Sequence, residues 1–584
     1  MGYLFFLPMS ASTAVWLPRL IGICLIVALA AGLYLPFLGN PPVFDDRGFF
    51  SGMGFSYYAT HPFDFGLRVP SYFSLAVVQV LWESIEAHRI LSLALHVACS
   101  LALYKLLYEL LSAAREPERA GVVAMQPGNT ALACIAAGAF ALHPVAVYAA
   151  AYLMQRSIVL ATLFSLLSVT LFVRGLRRGS HADALSAAAL YTIAVLCKEH
   201  SVLLPVAALL AIPLVQPERR FAVRHAIIYL AGCAPAAILV VLLRTGVIAV
   251  SYEPEFSTIA AEIEMDAGRA DFPWWLSVAT QAGLFFKYLA LWLWPDTGAM
   301  SIDLRINFAD AQLPPMVLLA VAGFLSYGLM GLYLLTRRVG AARIAGFGLL
   351  FPWILFLVEF ATIRIQEPFV LYRSYLWAPG VMIAFAAALT RVSVRAASAT
   401  VLLVLPLLLY QAHERLRTFT SGLALWEDAV AKLPRGRVPG GSRTLYSLGR
   451  EYLYAGRPDS AIAVVDRCLA EYPATYQCPF ARAAIHLHLE QYREALPYLS
   501  RAIALRPESG FARHHLGVAL ENLGCLEEAK EQYRLATKLR FVGASHRLSR
   551  LESPGSGLLP PIKPKPRTDA CGKPLPGGAA PPRR

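Results

Sequence analysis

The chain has 584 residues, of which 57% are hydrophobic and only 15% charged, with a formal net charge of +14. That balance, with a mean hydropathy of +0.53, lies outside the range of soluble domains and describes a polytopic membrane protein. Much of the positive charge sits in short loops between apolar runs, as the positive-inside rule expects, so nucleic acid is excluded as a partner.

A spanning helix needs about 20 mostly apolar residues. By that measure spans are expected near 15 to 37, 88 to 110, 129 to 148, 157 to 173, 183 to 197, 201 to 215, 227 to 247, 315 to 335, 345 to 362, 374 to 390 and 397 to 413. The first is longer than a signal-peptide core and has neither a basic leader nor a small-residue cleavage site, so it reads as an uncleaved anchor. The two runs between 183 and 215 share one polar break and could form a single broken helix. The stretch 272 to 294 is apolar enough to span, but counting it would move the basic 337 to 343 loop outside. With Trp274, Trp275, Trp292, Trp294 and Lys287 it suits the headgroup boundary as an interfacial or re-entrant helix. Eleven spans remain, placing the N-terminus inside and the C-terminus outside.

From about residue 423 the composition turns soluble and a period of 34 residues appears. Ala461, Ala495 and Ala529 repeat at that spacing, as do Pro473 and Pro507, and Val465, Leu499 and Tyr533. Gly449, Ala483 and Gly517 hold the small position at which paired helices approach closely. Three repeats in register predict tetratricopeptide repeats, whose concave face holds peptides or partner proteins. The tail from Ser553 is too rich in Pro and Gly to build a core. The expected organisation is therefore all-α: a membrane helical bundle over 1–422, an α-solenoid of repeats over 423–545 and a disordered tail over 546–584.

Polar clusters in the bundle fall on one side of the membrane and the basic loops, near 115 to 118, 174 to 178, 219 to 224, 337 to 343 and 391 to 395, on the other. Asp45 and Asp46 follow the first span; a carboxylate there suits a general base acting on a hydroxyl, and equally a solvated loop pair or a helix N-cap. Lys198 and Glu199 interrupt an apolar stretch, where each charge costs ~2.5 to 3.5 kcal/mol on insertion scales. Two readings stand: Lys198 binds a lipid phosphate that Glu199 helps orient, or the two neutralise each other at a helix end. Gln155 and Arg156 return to the same boundary, with Arg156 either gripping a phosphate or snorkelling to headgroups. His143, before Pro144, reads as a helix-end histidine. Glu367, Tyr372 and Arg373 sit on the last outer loop before a span. No metal site is expected, because the nine cysteines offer no metal-ligand spacing. Cys468 and Cys478 read as two small packing residues, with a disulfide as the alternative. No glycine-rich phosphate loop, GxSxG elbow or HExxH motif is present. With no soluble nucleotide-sugar domain either, any sugar donor must be carried on lipid.

The segments FDDRG, RVPSYFSLAVVQVL from Arg68, RILSLALHV, LHPVAVYAAAYLMQRSIVLATLF, LCKEHSVLLP, YLALWLWPDTGAMSIDL, LYRSYLWAPG and HERLRTFTSGLALWEDAVAKLP, in that order and followed by the repeats, resemble the transmembrane and tetratricopeptide-repeat O-mannosyltransferases and their bacterial relatives. The resemblance implies a GT-C type membrane fold that transfers a sugar from a polyprenyl-phosphate carrier to a protein Ser or Thr hydroxyl outside the cytoplasm, with inversion and without a metal or other cofactor. Carried onto this chain, it makes Asp45 or Asp46 the base and Lys198, Arg156 and Arg373 the residues for the carrier phosphate. Glu199, His143, Gln155, Arg68 and Glu367 support them. The resemblance also implies a bacterial inner membrane, with site and repeats in the periplasm and a protein acceptor or partner on the repeats. Rival readings are a lipid-linked oligosaccharide ligase or polymerase with a glycan or pilin-like acceptor, and a membrane-anchored repeat scaffold without catalysis.

Overall fold

A computed structural model describes residues 13–51, 54–62, 66–113, 127–245, 274–308, 315–364 and 366–552. Among them the secondary structure is helical, and an isolated bridge between Leu304 and Phe369 is the extended pairing found. Two compact units divide the chain, the first continuing to Lys432 and the second starting at Leu433.

In the first unit the helices are α1 (Thr13–Tyr34), α2 (Asp45–Ser51), α3 (Gly54–Thr60), α4 (Val69–Trp82), α5 (Ile85–Ala113), α6 (Pro127–Ala141), α7 (Val147–Ala150), α8 (Arg156–Arg178), α9 (His181–Cys197), α10 (Leu204–Leu209), α11 (Ile212–Val215) and α12 (Arg219–Arg244). They continue with α13 (Trp274–Leu293), α14 (Pro315–Arg337), α15 (Ala341–Phe356), α16 (Ala378–Leu389), α17 (Val394–Thr418) and α18 (Gly422–Ala431). Seven described helical segments are long and apolar enough to cross a membrane, and six of them coincide with expected spans. The break expected near 198 is real: α9 ends at Cys197 and a 3-10 turn, Glu199–Leu203, leads into α10 and α11. The span expected from 374 starts later, because Leu371–Leu376 forms a 3-10 turn ahead of α16.

The seventh membrane-length segment is α13, the stretch expected at the interface. Its residues bond in order along one connecting segment: Trp274 Nε1 donates to Phe360 O (2.7 Å), Ser277 Oγ accepts from Arg364 N (3.0 Å), Gln281 donates to Pro368 O (2.8 Å), Tyr288 to Val370 O (3.0 Å) and Trp292 to Ser374 Oγ (2.9 Å). A helix that follows the loop between α15 and α16 over its whole length runs beside that loop, and most of one face is buried against the bundle. By length and hydropathy it stands among the candidate spans and not apart from them as expected.

Where apolar attraction between helices is absent, close approach depends on small residues. A methyl placed on Gly348 would lie 2.5 Å from Ala384 N and 2.8 Å from Gly380 O, so α15 and α16 meet backbone to backbone. Helix α18 belongs to this unit by its polar contacts. Asp428 accepts from Arg415 (3.0 Å) and Lys432 (2.6 Å), and both cations also donate to Met300 O. The buried Arg415 further pairs with Glu414.

The second unit stacks helix pairs α19 (Gly441–Tyr454) with α20 (Pro458–Glu471), α21 (Gln477–His488) with α22 (Tyr492–Leu505), and α23 (Gly510–Asn522) with α24 (Leu526–Lys538), followed by α25 (Val542–Glu552). The 34-residue pattern is the packing pattern. Ala461, Ala495 and Ala529 are fully buried, and a methyl on Gly449 or Gly517 would strike Val465 or Tyr533 at 2.6 Å. Glu521 is buried but satisfied by Tyr533 (2.5 Å), Arg547 (3.0 Å) and Arg550 (2.6 Å), which tie α25 onto the last pair. Cys468 and Cys478 form a disulfide between α20 and α21, which corrects the expectation of two unpaired packing residues. The five cysteines of the first unit are free.

Candidate functional site

Arg89 on α5 builds the loop after α1. Its guanidinium donates to Asn40 O (2.8 Å), Pro41 O (2.9 Å) and Ala151 O (2.9 Å), so it clamps the residues before the Asp pair to the segment before α8. The two carboxylates then part company. Asp46 is fully buried and accepts from the backbone N–H groups of Leu153 (3.3 Å) and Met154 (2.8 Å), capping the turn Leu153–Gln155. Burial outweighs those amides and the Arg89 charge and pushes its carboxyl up to about 7. Asp45 is exposed and accepts a hydrogen bond from Tyr152 OH at 2.7 Å.

Tyr152 carries the site onward. Its ring meets that of Tyr372 edge to face at 6.2 Å, and the ammonium of Lys198 lies 5.8 Å from the Tyr372 ring centroid. Asp45 and Lys198 thus flank one aromatic pair. Lys198 is buried, and among the described residues its Nζ has no hydrogen bond. Burial, then the Arg68 charge, brings it down to about 7, against the opposing pull of Glu199 and Glu367.

A ring of ion pairs surrounds this amine. Arg68, in the left-handed region at φ 66°, reaches Glu199 with two bonds of 3.1 and 2.6 Å. His200 lies 3.7 Å from Glu199 and 3.3 Å from Glu359. Glu359 pairs with Arg364 (3.0 Å) and Arg373 (3.3 Å), Arg373 also with Glu367 (3.3 Å), and Tyr372 donates to Glu367 at 2.8 Å. Four cations therefore face three carboxylates in this ring. Every arginine has a carboxylate, so Lys198 is the basic group of this ring without one, and an anion beside it would favour its protonated form.

Of the residues singled out by sequence, Asp45, Asp46, Lys198, Glu199, Arg68, Glu367 and Arg373 converge in this way. Lys198 and Glu199 do not pair off as a self-contained unit; Glu199 is taken by Arg68, 131 residues earlier. Arg156 points into the bundle, where it donates to Ser74 O (3.1 Å), Ser92 Oγ (3.3 Å) and His88 O (2.8 Å). Its fork holds α4 and α5 against α8. Gln155 is buried at the start of α8, and His143 lies apart, its ring stacked on Trp292 at 4.3 Å. Sequence reading missed Glu359, Arg364, Arg89 and Tyr152. Glu359 was detectable as a lone acid in an otherwise apolar run; Tyr152 gives no such signal. Among the described residues no group of His, Cys, Asp and Glu could hold a metal ion.

Fold and site together define an all-α protein with a bundle of membrane-length helices and a repeat unit. Residues 512–541 match the tetratricopeptide repeat family model, which covers α23 and α24. A comparison with curated proteins finds no match. Tetratricopeptide repeats serve protein–protein contact, so a protein partner on the second unit is indicated.

Proposed function

We propose that the protein is an integral-membrane GT-C type glycosyltransferase that moves a sugar from a polyprenyl-phosphate donor to a Ser or Thr hydroxyl of a protein on the extracytoplasmic side. The observation carrying this reading is the exposed Asp45 carboxylate on Tyr152 and the Lys198 ammonium, without a hydrogen bond among the described residues, on Tyr372, the two rings being in contact. An inverting displacement needs a base on the acceptor hydroxyl and a cation on the leaving phosphate, held in line. Asp45 takes the hydroxyl proton as its oxygen attacks the anomeric carbon; the bond to the carrier phosphate breaks, and the phosphate leaves with both electrons onto Lys198. Tyr152 orients Asp45. Asp46 and Arg156 fix the segment that carries Tyr152, and Arg68 keeps Glu199 from neutralising Lys198.

The disulfide between Cys468 and Cys478 supports an oxidising compartment for the repeats, in line with a periplasmic face of a bacterial inner membrane. The free cysteines of the bundle lie within its helices or at their ends. The test is equilibrium binding of a polyprenyl phosphate to the purified protein and to Lys198→Met. The reading expects binding to the first and its loss in the second with the melting temperature kept, and equal binding to both would reject it. If binding holds but the transferred glycan is long, the ligase alternative takes its place.

A further inference from the structure

On the flank formed by α1, α6, α16 and α17 the bundle carries an apolar groove of about 490 Å³. Its walls include Leu25, Ile26, Gly138, Val381 and Leu408, and none of its lining residues is charged. Along α17 it runs from Val401 to Gln411, a length of about 15 Å at 1.5 Å per residue. That is about half the hydrocarbon thickness of a bilayer, or one leaflet. Leu25, Leu293 and Leu407 along its rim are exposed, as expected of residues facing lipid.

One end of the groove is polar. His143, 2% exposed, stacks on Trp292, and Gln411 donates its amide to Pro295 O at 2.8 Å, so both sit at the 292–295 end. The His143 Nδ1 accepts from Val145 N (3.2 Å), which leaves the proton of the neutral ring on Nε2. Among the described residues that Nε2 is buried with only the Trp292 backbone near enough for a loose hydrogen bond, and Gln411 Oε1 is buried with no hydrogen-bond partner. Among the described residues the groove thus ends at one weakly engaged buried donor and one unsatisfied buried acceptor, without a charged residue in its lining. A hydroxyl fits that pair because it accepts from the first and donates to the second. A carboxylate or phosphate would leave Gln411 Oε1 facing an acceptor and bury its own charge unpaired.

We infer that this groove is a binding site for a single-chain lipid alcohol of the outer leaflet, with its hydroxyl between His143 and Gln411 and its chain along α16 and α17. The site is distinct from the Lys198 anion site and does not rest on the transferase reading. The experiment uses the full chain in nanodiscs with a diazirine-tagged hexadecanol, cross-linked peptides being mapped by mass spectrometry. The label is expected on peptides covering 138–143 and 401–411. Hexadecanol should compete about tenfold better than hexadecanoate or hexadecyl phosphate, the worth of two modest hydrogen bonds, and Gln411→Leu should abolish that preference.

Gly138→Leu should block labelling at unchanged melting temperature, since a methyl there meets only Ile26 at an ordinary 3.9 Å. Should that variant fold poorly, the competition series on the unmodified protein decides. Label spread equally over the exposed Leu319 and Leu329 of α14 would overturn the inference as ordinary lipid contact. Hexadecyl phosphate competing best would overturn it by assigning the groove to the phosphate carrier. All these readouts are of binding, so loss of transfer activity elsewhere leaves them unaffected.

Discussion

The two neighbouring aspartates should respond to the same substitution in opposite ways. Asp45→Asn keeps an oxygen for the Tyr152 hydroxyl, and its position is exposed, so stability should change by no more than about 0.5 kcal/mol. Transfer should fall by about 10² to 10⁴, the worth of a general base. Asp46→Asn has one carbonyl oxygen where the carboxyl serves the amides of both Leu153 and Met154. One N–H is left facing an amide nitrogen in a buried site, at a cost of about 1–3 kcal/mol.

The pH dependence adds a second readout. The folded Asp46 carboxyl is raised from 3.8 to about 7, so the folded state holds this proton more tightly than the unfolded chain does. The stability it contributes is complete below about 3.8, declines as pH rises, and is lost once pH passes about 7. The Asn variant lacks this dependence, so its deficit should be greatest near pH 4 and shrink until about pH 7. The assay is thermal unfolding of both variants in nanodiscs from pH 4 to 8, with a transfer assay at fixed pH. A stable, inactive Asp46→Asn beside an unstable, active Asp45→Asn would refute the reasoning.

Lys198→Met should abolish binding of a polyprenyl phosphate while leaving the melting temperature unchanged or raised, because a buried charge is removed; loss of folding instead would mark Lys198 as structural. In the unmodified protein that binding should weaken as pH rises through about 7, where the buried amine loses its proton, and calorimetry over that range tests the sign. Arg68→Ala strands the buried Glu199 and should destabilise by about 3–5 kcal/mol, whereas Arg68→Met with Glu199→Met should recover much of it; equal losses in single and double variants would show that the pair is not the cause. Replacing Cys468 and Cys478 by Ser opens a loop of ten residues and should cost roughly 2–3 kcal/mol, read as a lower unfolding temperature of the full chain, and non-reducing peptide mapping should recover the bridged pair.

Repeats and helices are legible in the chain because their signals are local. A 34-residue period needs only the sequence, and the buried Ala461, Ala495 and Ala529 sit where it puts them. Part of the gathering was legible too: Asp45, Lys198 and Arg373 stand out as charges beside apolar runs and lie near the Tyr152–Tyr372 pair, whereas His143 and Arg156, singled out in the same way, do not. Partnership was not. Glu199 looks like the natural mate of Lys198 but is held by Arg68, and Arg156 looks like a phosphate ligand but spends its donors on Ser74, Ser92 and His88. Such choices depend on where separate helices meet in space. Glu359 escaped because one acid barely lowers the hydropathy of a long apolar window, and α13 resisted assignment because length and composition do not say whether a helix crosses a bundle or lies along it.

The most direct measurement is transfer itself: purified protein, a polyprenyl-phosphate hexose and a Ser- and Thr-containing polypeptide, read by intact mass. The account predicts the added mass of one hexose on the peptide, absent with Asp45→Asn and with Lys198→Met. A peptide that gains the same mass with both variants, with Asp45 and Lys198 thereby dispensable, would contradict it.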